Sequence, residues 1–181
     1  MGYKGCGWIN QRYFFKPTNV PNIKVPSDVS FEPIKGFDCD KLCDYEEKVV
    51  GVHRKVFMEK WVNFPGRYGW VAVSKEDQSV LGYVVGRATA EPNSHSIAPL
   101  YADNSDIAGG LLFKAATRLV DTPQIECFIE IPTSNEQALK LVEQHSKGVI
   151  GELVVNRMFS KGMPDNVDLN KIFGVASLCT I

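Results

Sequence analysis

The sequence has little of what marks a metal enzyme, a nucleic-acid binder or a membrane protein. It has 3 histidines and 5 cysteines in 181 residues, with no C-x-x-C pair, and no histidine is spaced with a cysteine or a carboxylate as a zinc site requires. Its 20 Lys+Arg and 21 Asp+Glu give a formal net charge of −1, too little for the positive field of a nucleic-acid-binding surface. No apolar run approaches the roughly 18 residues that a membrane-spanning helix needs. We therefore expect no resident metal, no nucleic-acid partner and no membrane partner.

Motifs of nucleophilic catalysis and of nucleotide binding are also missing. The chain has no Gly-x-Ser-x-Gly elbow, no Cys with a neighbouring His and no Walker-type glycine-rich loop. The odd, scattered set of five cysteines is typical of reduced thiols in the cytosol or nucleus, and we expect a cytoplasmic protein.

The composition that remains is that of one ordinary globular domain. Hydrophobic residues make up 44% and charged residues 23%, and the length is sufficient to bury a core. Residues 1–28 differ from the rest, because they are rich first in aromatic residues and then in proline. We interpret 1–28 as an arm or the tail of a missing element, with 7–15 as a strand candidate within it, and 29–181 as the domain. Because exposed aromatic residues favour association, we expect a homodimer.

Hydrophobic periodicity and turn signals predict the element order β-α-α-β-β-β-α-β-α-β. Asp38 or Asp40 is expected to cap the first helix, and Ser134 with Gln137 to form a capping box that opens the last one, which Gly148 ends. This order predicts an α/β fold with a mixed, twisted sheet flanked by helices. The predicted strands are 29–35, 68–74, 79–89, 94–102, 124–131 and 149–160, and the predicted helices are 42–49, 52–62, 107–121 and 135–145.

Four short segments and one helix motif carry a family resemblance. The last predicted helix opens with Asn135-x-x-Ala138-x-x-Leu141, and the segments are 98–103 (APLYAD), 130–135 (EIPTSN), 156–159 (NRMF) and 172–175 (IFGV). In this order they resemble the GNAT superfamily of acetyl-CoA-dependent N-acetyltransferases, more narrowly the C-terminal half of a tandem-GNAT subfamily. The resemblance covers about 29–178 and implies the GNAT-like (acyl-CoA N-acyltransferase) fold, with residues 1–26 similar to the end of a first half. It also implies a companion GNAT half as a partner.

The resemblance implies acetyl-CoA as cofactor and a binding surface for it. In the family the pyrophosphate binds a loop of the form Arg/Gln-x-x-Gly-x-Gly/Ala, where exposed N–H groups and a helix N-terminus attract the anion. Here Asp103 and Asp106 stand at the first and fourth positions, where they repel a phosphate, and both can equally serve the start of the helix. The cofactor-binding residues that the resemblance implies are Ile97, Ala98, Leu100 and Tyr101 on a strand, Asn104, Ser105, Asp106, Ile107 and Ala108 in the loop, and Asn135.

Two neighbouring glycines one turn inside the third helix allow two interpretations. Each costs about 1 kcal/mol against alanine in a helix interior. Gly109 and Gly110 therefore indicate either close packing of the helix or the close approach of a cofactor, and both interpretations stay open.

The acid and the base of an acetyl transfer are harder to assign. The family's usual acid is a tyrosine at the position that Val142 occupies here, so Tyr101 or Cys127 would have to replace it. Glu126 and Glu130 alternate with apolar residues on one strand face, and His95 is a further candidate base. We name Glu130 as base and Tyr101 as acid, although a strand glutamate is more commonly exposed to solvent.

Two functions therefore remain open. In the first, the chain is an N-acetyltransferase that transfers an acetyl group from acetyl-CoA to a small-molecule amine. In the second, it is a catalytically silent GNAT-like module that binds a ligand or packs against a partner half or a second copy. The strand–helix pattern and Asn135 favour the first, whereas Asp103, Asp106 and Val142 favour the second.

Overall fold

The computed structural model describes residues 4–122, 124–145, 150–159 and 163–176. Within these residues the chain forms eight strands and four α-helices. The strands are β1 (Lys4–Phe15), β2 (Val29–Pro33), β3 (Arg67–Ser74), β4 (Val80–Ala88), β5 (Ser94–Ala102), β6 (Glu126–Pro132), β7 (Ile150–Phe159) and β8 (Ile172–Gly174). The helices are α1 (Cys39–Val50), α2 (Lys55–Asn63), α3 (Ser105–Thr117) and α4 (Glu136–His145), and short 3-10 turns cover Pro17–Asn19 and Leu169–Lys171.

The strands form one mixed sheet with the order β2-β3-β4-β5-β6-β1-β7, and β8 pairs with β5 beside this path. The β5–β6 pair is parallel and the other pairs are antiparallel. The predicted α/β fold with a mixed sheet flanked by helices is confirmed. In the part of the chain that the structure describes, no helix is both long enough and apolar enough to cross a membrane.

A separate apolar core lies on each face of the sheet. One core joins the sheet to α3 and α4 and includes Leu100 and Leu111. The other joins the sheet to α1 and α2 and includes Val49 and Tyr83. Because side chains alternate along each strand, β3, β4 and β5 supply residues to both cores, and the helices cover both faces.

Helix α1 begins at one of the two caps that its sequence predicts. The Asp38 side chain accepts hydrogen bonds from the N–H groups of Asp40 and Lys41 at 2.9 and 3.4 Å, which makes Asp38 the N-cap. Gly51 ends the helix in the left-handed region, at φ 73°, where a residue without Cβ meets the least strain. Both ends are therefore determined by local chemistry.

Helix α2 differs from its prediction at the N-terminal end. The helix predicted at 52–62 has one apolar face formed by Val52, Val56, Phe57, Trp61 and Val62, but α2 begins only at Lys55, and Val56 is 67% exposed. The buried face is formed by Met58, Trp61 and Val62. Val56 precedes Met58 by two residues, which turns it about 200° around the helix axis and away from the core.

Helix α4 is capped one residue later than predicted. The Asn135 Oδ1 atom accepts a hydrogen bond from the N–H of Ala138 at 3.0 Å, so Asn135 takes the N-cap position that the sequence assigned to Ser134. Ser134 is exposed. Gly148, the predicted end of this helix, lies outside the described residues.

Strand β1 lies inside the sheet, between β6 and β7. Its register pairs Tyr13 with Ile129 and Phe15 with Cys127 on β6. Trp8, Tyr13 and Phe15 are buried. The aromatic residues that suggested association are thus largely covered by the chain itself, and the expected homodimer stays a prediction without that support.

Candidate active site

The candidate site begins where two parallel strands separate. Strands β5 and β6 pair only from Ser94 to Ser96, opposite Glu126 to Phe128, and then diverge. The predicted cofactor strand, residues 97–101, is the part of β5 that follows this separation. Beyond Ser96 the sheet therefore has an opening between β5 and β6.

Strand β8 fills this opening. Leu100 on β5 pairs with Gly174, and Tyr101 pairs with Ile172. On the other side, the N–H of Val175 donates to the carbonyl of Glu130 on β6 at 2.8 Å. The segment 172–175 is thus a short strand bonded to both edges of the opening.

The side chains of this segment are integrated into both cores. Phe173 is fully buried in the core that faces α3, whereas Ile172 and Val175 are buried in the core that faces α1. Gly174 passes so close to β6 that a Cβ there would lie 2.9 Å from the Ile129 side chain. Burial of Phe173 alone stabilises the segment by about 2–3 kcal/mol.

Asn135 holds the chain just before β8. Its Nδ2 group donates to the carbonyl oxygens of Leu169, Asn170 and Ile172 at 3.0, 3.1 and 3.0 Å. With Oδ1 engaged by the helix cap and only 1% of the residue exposed, both polar atoms of the amide are used within the protein.

The loop before α3 is stabilised by its own asparagine. The Asn104 side chain accepts from the N–H groups of Asp106 and Ile107 at 3.1 and 3.0 Å, and its carbonyl accepts from the N–H of Ala108. Ser105 begins the helix, and Asp106 lies in its first turn. Three of the N–H groups that the sequence suggests for a phosphate are therefore bonded to Asn104.

Asp103 binds the same C-terminal segment from this loop. Its carboxylate lies 3.0 Å from the Lys171 ammonium and accepts a hydrogen bond from the Tyr45 hydroxyl at 3.3 Å. Burial and the Asp103 charge raise the pKa of Tyr45 well above its usual value, so Tyr45 stays a neutral donor. Asp103 is thus an anchor for the residue that precedes β8.

The two glycines of α3 face the polypeptide itself. A Cβ on Gly109 would lie 2.2 Å from the Ile23 Cδ1 atom, and a Cβ on Gly110 would lie 2.6 Å from Val25 and 2.7 Å from the Phe31 ring. The proline-rich connector between β1 and β2 crosses α3 here. Of the two interpretations, the structure supports close packing, with the connector and, at Gly110, the Phe31 ring of β2 as the neighbours.

Next to this crossing, a cavity of about 440 Å³ lies between the connector and the first turns of α3 and α4. Its lining includes Ile23, Ser105, Asp106, Gln137 and Lys140. Of the predicted cofactor-binding residues, Ser105 and Asp106 line this cavity.

The proposed base, Glu130, is in an ion pair. The Arg12 guanidinium on β1 donates from Nε to Oε1 of Glu130 at 2.9 Å, and its Nη2 group contacts the same oxygen. Arg12 also stacks on Phe128, with 4.4 Å from its guanidinium carbon to the ring centre. Glu130 is only 7% exposed, so its carboxylate is largely shielded from water. Its ion-pair partner, Arg12, is a residue type that stays charged at all ordinary pH values.

The proposed acid, Tyr101, lies among aromatic and charged residues on the α1 side. It is buried, and its ring meets that of Tyr83 edge-to-face at 5.5 Å between ring centres. The hydroxyl of Tyr83 donates to the Glu46 carboxylate at 2.7 Å, and Arg54 donates to Glu46 from two nitrogens. This buried ion pair was not recognised from the sequence, where Glu46 and Arg54 resemble ordinary helix-surface residues.

The other candidate acids and bases lie apart from the opening. Cys127 is fully buried toward α3, and burial raises its pKa to about 12. His95 is half-buried with its Nδ1 atom 3.4 Å from the Tyr68 hydroxyl, and burial lowers its pKa. Glu126 is exposed at the start of β6.

The structure thus brings four of the predicted residues to one segment. Leu100 and Tyr101 pair with it in the sheet, the carbonyl of Glu130 accepts a hydrogen bond from it, and Asn135 donates to it. The remaining predicted residues are Ile97 and Ala98, which are buried on β5, and Asn104 to Ala108, which form the start of α3. The segment itself, residues 169–175, was missed as part of the site, although its short apolar run 172–175 was visible.

Comparison with known proteins is decisive for the family. Residues 42–174 match the family model described as an acetyltransferase (GNAT) domain. The chain belongs to the GNAT family. Its fold is the one that this family shares. The strand for which the resemblance implies cofactor binding, residues 97–101, borders the opening between β5 and β6.

Individual relatives of this GNAT domain are distant and longer. A holothin acyltransferase from a Pseudoalteromonas strain is 23% identical over 176 residues, which are 97% of this chain and 57% of the relative. A tandem GNAT protein from the clavulanic acid biosynthesis pathway superposes with a TM-score of 0.60 at 11% identity, over 78% of this chain and 50% of that one. A probable N-acyltransferase from Enterococcus faecalis gives 0.59 at 13% identity, over 86% and 41%. The GNAT domain described here thus spans about half the length of these relatives.

Proposed function

We propose that this GNAT domain is the companion half of an acetyl-CoA-dependent N-acetyltransferase, and that the acetyl transfer to a small amine takes place in a second GNAT half. The observation that carries the proposal is strand β8, which occupies the opening between β5 and β6 and is bonded to both strands. A pantetheine arm that entered this opening would have to displace a strand of the protein's own sheet.

The polar groups around the opening support the same proposal. Asn135 and Asp103 stand at two of the positions where the resemblance implies cofactor contacts, and both bind residues 169–172. Val142 is buried at the position of the family's acid and has no proton to donate. The length of the tandem GNAT protein supports the proposal too. This chain covers about half of that protein, which leaves the other half for a second GNAT domain.

A second candidate is acetyl transfer by this chain itself once β8 has left the opening. The observation that favours it is that β5 and β6 diverge after only three paired residues, as an acyl-CoA cleft requires. In that case the backbone of residues 97–101 and the loop 104–108 would bind acetyl-CoA, with Glu130 as base and Tyr101 as acid.

Calorimetric titration of the full chain with acetyl-CoA, and with desulfo-CoA as control, separates the two candidates. If the opening is closed, we expect no saturable heat up to about 1 mM ligand. We also expect acetyl-CoA to leave the rate of amide hydrogen exchange at 169–175 unchanged. Micromolar binding of both ligands together with faster exchange at 169–175 would overturn the companion-half proposal. Release of free CoA thiol in an amine screen would then establish the second candidate.

A further inference from the structure

Two arginines face each other on neighbouring strands, away from the opening. Arg67, at the start of β3, is directly opposite Arg87, near the end of β4. Like charges in this arrangement repel. Among the described residues, no carboxylate lies within ion-pair distance of either one, whereas Arg12 and Arg54 are paired with Glu130 and Glu46.

Three buried donors at this place have no acceptor. They are Nε of Arg67, Nε of Arg87 and the indole Nε1 of Trp61, and within the described part of the chain none of them makes a hydrogen bond. A buried donor without a partner is unfavourable, and proteins avoid it unless a ligand or water supplies the acceptor. Three such donors in one place indicate a missing acceptor.

The three side chains share one face of the sheet. The guanidinium carbon of Arg67 lies 3.5 Å from the centre of the Trp61 ring, and its Nη1 group donates to the Trp61 carbonyl at 2.6 Å. Arg87 extends to the same face as Val85 and Tyr83, which belong to the core under α1 and α2. Next to Arg87 in the sheet register is Ser96 on β5, which is buried.

This group of side chains is accessible from one side. Arg67 and Arg87 are half-buried, and Phe64, which lies 5.0 Å from the Arg67 guanidinium carbon, is 59% exposed. Burial and the neighbouring Arg87 charge lower the pKa of Arg67, the direction expected for a cation without a counter-charge.

We propose that Arg67, Arg87 and Trp61 form a binding site for an oxyanion, a phosphate or carboxylate group carried by a small molecule. A guanidinium presents paired donors that match the oxygens of either group, and an oxyanion between the two arginines replaces their repulsion with attraction. The site lies on the sheet face opposite α3 and uses none of the residues predicted to bind the cofactor, and the proposal does not depend on the companion-half function.

Nuclear magnetic resonance of the full chain tests this site directly. The chain has three tryptophans, so the indole N–H signal of Trp61 can be assigned with a Trp61→Phe variant. Inorganic phosphate and succinate are titrated in separate arms at constant ionic strength, with chloride as reference. We expect a saturable shift of the Trp61 signal with at least one of them, and the arm that saturates identifies the group as phosphate, carboxylate or either.

Variants confirm the residues involved. Arg87→Gln is expected to weaken the apparent Kd about tenfold or more, because it removes one charged donor pair. Arg118→Gln is the matched control, since Arg118 stacks on Tyr68 and should leave the Kd unchanged. Unfolding curves of both variants report whether they are folded, and Arg87→Lys, which keeps the charge, should show an intermediate Kd.

Two results would overturn the proposal. One is the absence of a saturable Trp61 shift with both anions up to about 50 mM, where even a weak oxyanion site is filled. The other is an Arg87→Gln variant that is folded and binds as tightly as the original chain.

Discussion

Asn135 shows how one buried amide can serve two elements at once. Its oxygen caps α4 and its nitrogen holds three carbonyls of the segment before β8. The asparagine that matches a cofactor-binding motif of the family thus stabilises the segment that fills the opening. At the scale of one residue, Asn135 stands where the motif expects it, at the start of a helix, but its side chain forms its hydrogen bonds with this protein's own backbone.

Replacement of Asn135 should therefore be costly. Asn135→Ala removes a helix cap and leaves the buried Ile172 carbonyl without its side-chain donor, and we expect the free energy of unfolding to fall by about 2–4 kcal/mol. Urea denaturation monitored by circular dichroism measures this loss. Ser134→Ala is the control, with an expected change within about 0.5 kcal/mol, since Ser134 is exposed and does not cap the helix. Equal losses in the two variants would contradict the assignment of the cap.

At the scale of elements, α3 and the connector explain the paired glycines. Without side chains at Gly109 and Gly110, the connector can lie directly on the helix, and Ile23 and Val25 fill the space that two Cβ atoms would occupy. The helix loses some intrinsic stability at each glycine, and the packing of the connector offsets it.

The two glycines should differ when they are replaced by alanine. In Gly110→Ala the new methyl group meets Val25 and the stiff Phe31 ring, and we expect a net loss of about 1–2 kcal/mol despite the better helix propensity. Gly109→Ala mainly displaces the terminal methyl of Ile23, which can rotate away, so its effect should be within about 0.5 kcal/mol of zero. Thermal unfolding of both variants tests the difference, and a reversed order would contradict this packing.

At the scale of the whole molecule, the sheet is completed by both ends of the described chain. Strand β1 separates β6 from β7, and β8 closes the gap between β5 and β6. The two segments come from outside the continuous run from β2 to α4. The central sheet therefore depends on pairings between residues that are more than 70 positions apart, such as Leu100 with Gly174.

Tyr13 and Ile9 test whether β1 belongs to the core in solution. Tyr13 is buried against the α3 side, whereas Ile9 on the same strand is 43% exposed. We expect Tyr13→Ala to lower the free energy of unfolding by about 3–5 kcal/mol and Ile9→Ala by less than about 1 kcal/mol. Chemical denaturation measures both. Small and equal losses would mean that β1 is a detached arm rather than a strand of the sheet.

Much of the fold follows from local signals in the sequence. Asp38 and Gly51 delimit α1, the turn at 75–78 separates two strands as predicted, and β5 has the predicted bounds 94–102. The predicted start of α2, at 52, is wrong. Val52 and Val56 are apolar, as a buried helix face requires, but they do not point to the core when Met58 and Trp61 face it. Such an error arises when several apolar residues compete for one face and packing selects among them.

The sequence by itself determined the order of the elements from β2 to β7, the family and several of the residues that surround the opening, because periodicity, caps and motifs act over a few neighbouring positions. Only the tertiary structure decided what fills that opening. Strand β8 has three residues and no periodicity of its own, and its position depends on bonds to β5, β6 and Asn135, which are distant in sequence. The pairing of Arg67 with Arg87 likewise depends on strand register, and the absence of a nearby carboxylate in the described chain is a property of the folded surface. Contacts between residues that are distant in sequence form only in the folded chain. Here such contacts close the opening and create the proposed oxyanion site.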